Sequence, residues 1–164
     1  MKAIFCSLLF LSQCLTSSTP LALAPNFRLQ DMVGKAVALQ DFRGKVVYVD
    51  FWFSQCIPCL AEAPAAQRLK KRFRDKEVVF LYISTDVVLE AWRAAIVKHA
   101  LAGPNSVHLF DPEGIHAARA YQVEGFPTYM IISRDGHLLQ RDAPRPSDGK
   151  AAERALEQAL QQGS

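Results

Sequence analysis

Cysteine is scarce in this chain, and where it falls says more than how much there is. Of the four cysteines, Cys6 and Cys14 lie near the N-terminus, while Cys56 and Cys59 stand together in the body of the chain. A small scaffold stapled by several disulfides is thereby excluded, because such a domain needs cysteines spread along its length. No apolar run approaches the ~20 residues that cross a bilayer, since Ser7, Ser12 and Gln13 interrupt the N-terminal one. Charge of one sign is also missing: 19 basic and 16 acidic residues are scattered to a net +3. A surface of that kind has no concentrated field for phosphate or anionic lipid, so nucleic acid is not an expected partner. His99, His108, His116 and His137 show no paired ligand spacing. With one cysteine pair they make no zinc set, and no metal is expected. Repeats, long linkers and low-complexity tracts are absent as well.

What remains is 164 residues, 50% of them hydrophobic, enough for one domain with a substantial core. The first stretch differs from the rest. Lys2 is followed by the apolar Ala3 to Leu11, and Ala22-Leu23-Ala24 has the spacing of a cleavage box. Residues 1–24 are therefore read as a secretory signal and 25–164 as the folded domain, with a retained membrane anchor as the alternative. Leu11-Ser12-Gln13-Cys14 resembles the box before a bacterial lipoprotein cysteine, although Gln13 stands where a small residue is usual, so a lipid anchor on Cys14 is a further alternative. Removal of the leader leaves only Cys56 and Cys59. A lone close pair in an exported domain is better explained as a reagent than as a staple.

Phe27 to Leu29 and Ala36 to Leu39 are expected to form a hairpin that turns at Gly34. Val46 to Phe53 is an unbroken β-branched and aromatic run, the pattern of a strand buried on both faces. From Cys59 to about Phe73 the spacing turns helical, with Cys59, Ala63, Ala66, Leu69 and Phe73 on one stripe and Pro64 expected to kink it. Val78 to Ser84 is a second buried strand, and a strand, helix, strand unit closes with its strands parallel. A helix over Leu89 to Leu101, a strand over Val107 to Phe110 and a brief helix over Ile115 to Tyr121 follow. Thr128 to Ser133 and His137 to Arg141 flank an Asp-Gly turn, and Ser147 is placed to cap a last helix bearing Ala155, Leu156, Ala159 and Leu160.

Cys56-Ile57-Pro58-Cys59 lies where the first buried strand hands over to a helix. Cys56 is then expected to be exposed at the helix N-terminus, where unpaired amides favour thiolate over thiol, and to be the attacking nucleophile. Cys59, one turn further in, is expected to be shielded and to resolve the mixed disulfide that Cys56 forms, leaving a Cys56–Cys59 disulfide.

The segment Asp50-Phe51-Trp52-Phe53-Ser54-Gln55-Cys56-Ile57-Pro58-Cys59 resembles the active-site stretch of thioredoxins, and Leu60-Ala61-Glu62-Ala63-Pro64 narrows the likeness to the TlpA and ResA family. Gly125-Phe126-Pro127-Thr128 resembles the family's proline loop. The resemblance implies an α/β thioredoxin-like fold, with a central mixed sheet flanked by helices, an N-terminal hairpin and an inserted mid-fold helix and strand. It further implies a cis Pro127 facing the disulfide, with the Phe126 backbone pairing with a bound substrate strand. Trp52, Ile57, Pro58, Phe126 and Pro127 are the candidate substrate contacts, Trp52 being read also as packing along with Trp92. Asp50 matches the buried acid of thioredoxins and Glu62 the active-site acid of the second group, so either is a candidate proton partner for Cys59; a hydrogen-bonded structural Asp50 and a solvated Glu62 are the plainer alternatives. Gln55 departs from the usual Trp.

The activity so implied is reduction of disulfides in extracytoplasmic, periplasmic proteins, with cytochrome c maturation as one setting, a membrane thiol carrier as reductant, no cofactor, and a monomeric protein. Ile57-Pro58 lacks the His of strongly oxidising enzymes of this fold, which tilts the direction toward reduction. A thiol peroxidase is the alternative enzyme, but Ser54-Gln55-Cys56 does not supply its threonine pattern. A metal chaperone or redox-inert binding module is the non-enzymatic alternative.

Overall fold

The computed structural model describes residues 21–162. Two strands carry the architecture. In β3 (Val46–Trp52) and β4 (Val78–Ser84) every residue is buried, as their unbroken apolar runs predict, and they pair in parallel. On one side of them runs parallel β5 (Ser106–Phe110), then antiparallel β1 (Arg28–Asp31) and β2 (Ala36–Ala38); on the other lie antiparallel β6 (Thr128–Ile132) and β7 (Leu138–Gln140). The order β2-β1-β5-β4-β3-β6-β7 makes one mixed sheet of seven strands. At the hairpin turn Gly34 adopts φ 85°, a conformation that favours glycine.

Strand alternation sorts the core into two faces. Val46, Tyr48 and Trp52 face a cluster with α2 (Ala63–Arg72), α3 (Leu89–Lys98) and α5 (Lys150–Gln161) through Leu69, Trp92 and Leu156. Val47, Val49 and Phe51 face the other, closed by the N-terminal hairpin and by α4 (Ala117–Ala120) through Phe27, Leu39 and Tyr121. Asp50 belongs by period to the first face, beneath α1 (Ile57–Ala61) and α2.

Several boundaries shift from expectation. The helix predicted from Cys59 to Phe73 starts at Ile57 and breaks between Ala61 and Ala63. Pro64 stands at the start of the second segment, where its missing N–H costs nothing. The third helix ends at Lys98 rather than Leu101, with Ala100 at φ 50°. Ser147 does not cap α5: it lies in a short 3-10 turn, and Gly149 at φ 57° precedes the helix. The stretch proposed as a signal lies largely outside the described residues; within them, Leu23 bridges to His137 and the Ala24 amide donates to the Gly136 carbonyl at 2.9 Å. No helix among the described residues is long and apolar enough to cross a membrane.

Trp92 is fully buried and stacks on Phe110 of β5 at 5.3 Å, tying the inserted helix to the inserted strand. Trp92→Ala is expected to lower stability by about 3–5 kcal/mol, measured by urea unfolding, whereas Val97→Ala on the exposed face of the same helix stays within about 0.5 kcal/mol of the parent.

Candidate active site

β3 ends at Trp52, and the chain turns through Phe53, Ser54 and Gln55 into Cys56, whose amide donates to the Phe53 carbonyl at 3.0 Å. Cys56 caps α1: its sulfur accepts from the Cys59 amide at 3.2 Å, and Pro58 occupies the first turn. The two cysteines form a disulfide with Cα atoms 5.2 Å apart. Cys56, expected to be exposed, is only 4% exposed and Cys59 7%. The exposed surface at this turn comes instead from Ile57, 79% exposed, and from exposed Pro58 and Gln55.

Three connections hold the turn in place. Asp86, at the end of β4, accepts from the Ser54 amide at 3.0 Å, the Ser54 hydroxyl at 2.6 Å and the Ser84 hydroxyl at 2.6 Å. Phe53 meets Phe126 edge to face at 5.3 Å, linking the turn to the loop whose Phe126–Pro127 peptide is cis. At the break between α1 and α2, the Glu62 carboxylate accepts from both the amide and the hydroxyl of Ser147, each at 2.8 Å. Glu62 is thus neither solvated nor free, but buried and bound on both oxygens.

Beneath Cys59 lies a narrow cavity lined by Asp50, Trp52, Glu62, Lys70 and Tyr82, with about 10 Å³ of water-sized space. That is roughly what one water needs. Trp52, 2% exposed, packs into this wall rather than reaching a partner. The strand register sets the floor: Tyr129, Asp50, Tyr82 and His108 stand opposite one another across β6, β3, β4 and β5. All four are buried. One oxygen of Asp50 has no hydrogen-bond partner among the described residues. Burial pushes the Asp50 carboxyl up to about 8; the Tyr129 hydroxyl opposes this, the Glu62 charge adds to it and the Lys70 charge opposes it. Burial also pulls Lys70 down to about 8, against the attraction of Asp50, and His108 down to about 4. Among the described residues no group of three or more His, Cys, Asp or Glu side chains is arranged to hold a metal.

Of the residues singled out by sequence, Asp50, Cys59 and Glu62 line one cavity, Cys56 is bonded to Cys59, Phe126 beside the cis Pro127 meets Phe53 of the turn, and Ile57 and Pro58 are exposed next to the disulfide. Sequence reasoning missed Asp86, Ser147 and Lys70. Lys70 left a trace: it follows Ala66 by four residues and precedes Phe73 by three, on the stripe that should be apolar.

A buried disulfide following the C-terminal end of a parallel strand, over a buried acid and joined to a proline loop, defines a thioredoxin-like protein with a Cys-x-x-Cys redox pair. The chain belongs to the Redoxin family, whose model matches residues 21–160. It is 31% identical over 117 residues to the thiol-disulfide oxidoreductase ResA of Bacillus thuringiensis subsp. konkukian, covering 71% of this chain and 65% of that protein. It is 35% identical over 115 residues to the thioredoxin-like protein YneN of Bacillus subtilis, covering 69% of this chain and 65% of that one. The chain therefore spans a little under two thirds of the length of these curated relatives. Among solved structures it resembles the thioredoxin domain of a thiol-disulfide oxidoreductase from Bacteroides vulgatus, with TM-score 0.73 and 29% identity over 87% of this chain and 99% of that one.

The raised Asp50 carboxyl makes stability depend on pH. Between about pH 4 and pH 8 the folded state keeps a proton that the unfolded state has lost, so stability falls as pH rises through that window. The depressed Lys70 acts only above it, where the folded and unfolded lysine differ. Asp50→Asn is expected to flatten the dependence and to exceed the parent in stability at the alkaline end, by about 1.4 kcal/mol for each unit of displacement removed. Urea unfolding of the oxidised proteins at both ends of the window measures it; equal slopes for parent and variant contradict the assignment.

Proposed function

We infer that this protein is an exported thiol-disulfide oxidoreductase that reduces disulfides in extracytoplasmic proteins and is itself recharged by a membrane thiol carrier. The observation that carries this reading is the Cys56–Cys59 disulfide closed across the first turn of α1, with Cys59 over the Asp50 cavity. In the reduced protein the Cys59 amide that meets the Cys56 sulfur would favour the thiolate, making Cys56 the attacking group. Cys56 attacks a partner disulfide and forms a mixed disulfide; Cys59 then attacks Cys56 and releases the reduced partner. Asp50, without a partner for one oxygen and displaced toward neutral pH, is suited to take the proton that Cys59 must lose. Glu62, bound on both oxygens by Ser147, holds the break between α1 and α2 and bears on Asp50 through its charge.

Ile57 and Pro58 on one side, and Phe126 and Pro127 on the other, would receive the partner, with the Phe126 backbone pairing with an extended segment. Exposed Ile57 and Pro58 beside the disulfide suit a protein partner. Residues 1–24 direct export in this reading, with cleavage after Ala24 or a tether at Cys14 giving the mature form, which acts as a monomer. The names of the ResA relative and of the Bacteroides vulgatus thiol-disulfide oxidoreductase support thiol-disulfide chemistry; apocytochrome c cysteines awaiting haem are one substrate class that a reductase in this compartment would serve.

Trapping tests the reading. Cys59→Ser, expressed in its native compartment, is expected to accumulate disulfide-linked partners through Cys56, and Cys56→Ser none. Insulin reduction by the parent should fall at least a hundredfold in either variant. Recovery of no disulfide-linked partner where the parent is active would contradict it.

A further inference from the structure

β7 ends the sheet on one side, and the backbone groups on its outer side are covered by the residues of the presumed cleavage box. The Leu138 amide donates to the Ala22 carbonyl and the Ala24 amide to the Gly136 carbonyl, each at 2.9 Å. Leu23 stands opposite His137 in an antiparallel bridge between them. Ala24 also packs against the core face closed by the N-terminal hairpin. A bare strand edge is a template for unwanted pairing, and folded proteins cover such edges. Here β7 pairs with β6, which begins just after the cis Pro127. An open β7 edge would give extended partner segments a second place to pair, one strand away from the loop that is to receive them.

The bond after Ala24 is also poorly suited to a leader peptidase, because it joins Ala24 to Pro25. Such an enzyme holds its substrate extended across the bond it cuts. A proline just beyond that bond has no N–H to offer, and its ring fixes φ. Cutting there would also leave a charged amino group on Pro25, which is half-buried and stands two residues before Phe27, itself only 5% exposed. Placing a new charge in that position is unfavourable. The small-residue spacing of Ala22-Leu23-Ala24 recurs upstream in Thr16-Ser17-Ser18, and the residue that follows is Thr19 rather than proline. The family match likewise starts at residue 21, ahead of Pro25.

We propose that the leader is removed upstream of Ala22, and that residues 22–24 stay in the mature protein as the strand that covers β7. The proposal rests on the export reading above and replaces a cut after Ala24 by an earlier one. The step is a hydrolysis: water adds across one peptide bond, the leader leaves with a new carboxylate, and the domain keeps a new amino group. The spacing fits the bond between Ser18 and Thr19. The new amino group then falls outside the segment bonded to β7.

Protein expressed with its whole N-terminus and recovered from the cell envelope, sequenced from its first residue and weighed intact, tests the cut. The expected start is Thr19, and any start from Cys14 to Ala22, a lipid-bearing Cys14 included, leaves the covering strand whole. A start at Leu23 or beyond overturns the proposal, as does an envelope form that still carries the apolar run from Ala3 to Leu11. Amide hydrogen exchange tests the strand itself. Ala24→Pro removes the N–H that meets Gly136, and the Leu138 amide is expected to exchange roughly tenfold faster or more in this variant than in the parent, while the amides of β3 keep their parent rates. Equal exchange at Leu138 in the two proteins overturns the proposal wherever the cut lies. A parent protein found only in the cytoplasm with its leader intact overturns the export reading instead, and exchange at Leu138 then still decides whether residues 22–24 belong to the fold.

Discussion

A carboxylate on the inner face of a strand buried on both sides is the constraint from which the rest of the site follows. β3 has no solvent-facing residue, so its period places Asp50 under the helices as surely as it places Tyr48 and Trp52 there. The register then surrounds the acid with Tyr129 on one neighbouring strand and Tyr82 on the other, and carries the row on to His108. Four titratable groups in a line within an apolar sheet are costly unless each is neutral or compensated. Burial suppresses the charge on the tyrosines and the histidine, and holds the acid between its two forms near neutral pH.

Such an acid destabilises the fold above its unfolded pKa, and the surrounding architecture is arranged to bear it. Both faces of the sheet are closed by continuous apolar clusters, one under α2, α3 and α5, the other under the hairpin and α4. The mouth of the site is held independently, by Asp86 on the Ser54 turn, by Phe53 against Phe126, and by Ser147 on Glu62. The cysteine turn is thereby fixed to β4, to the proline loop and to the segment before α5, three parts of the chain far apart in sequence. Gln55 in the position usual for Trp leaves Ile57 and Pro58 as the main exposed relief beside the disulfide.

Elements with an unambiguous period were legible in the sequence. The runs Val46 to Phe53 and Val78 to Ser84 could only be strands buried on both faces, and the Cys56 to Pro64 segment announced both the strand-to-helix hand-over and a family. Ends were less legible: Ser147 has the chemistry of a helix cap, but a buried carboxylate offered its hydroxyl and amide a stronger partner than the helix did. The burial of Cys56 was not legible either, since it depends on the cluster into which the turn packs, built from strands and helices far apart in sequence. Lys70 was overlooked because charge in a helix is ordinarily read as surface. Its position against Ala66 and Phe73 was the contrary sign.

The account turns on proton exchange between Asp50 and Cys59. Its most direct test is the rate at which the second thiol leaves an aromatic disulfide that has reacted with reduced protein, followed across pH for the parent and for Asp50→Asn. The account predicts a resolution rate that rises with a midpoint near 8 in the parent and loses that limb in the variant, while attack by Cys56 is preserved. Superimposable resolution profiles for the two proteins would contradict it.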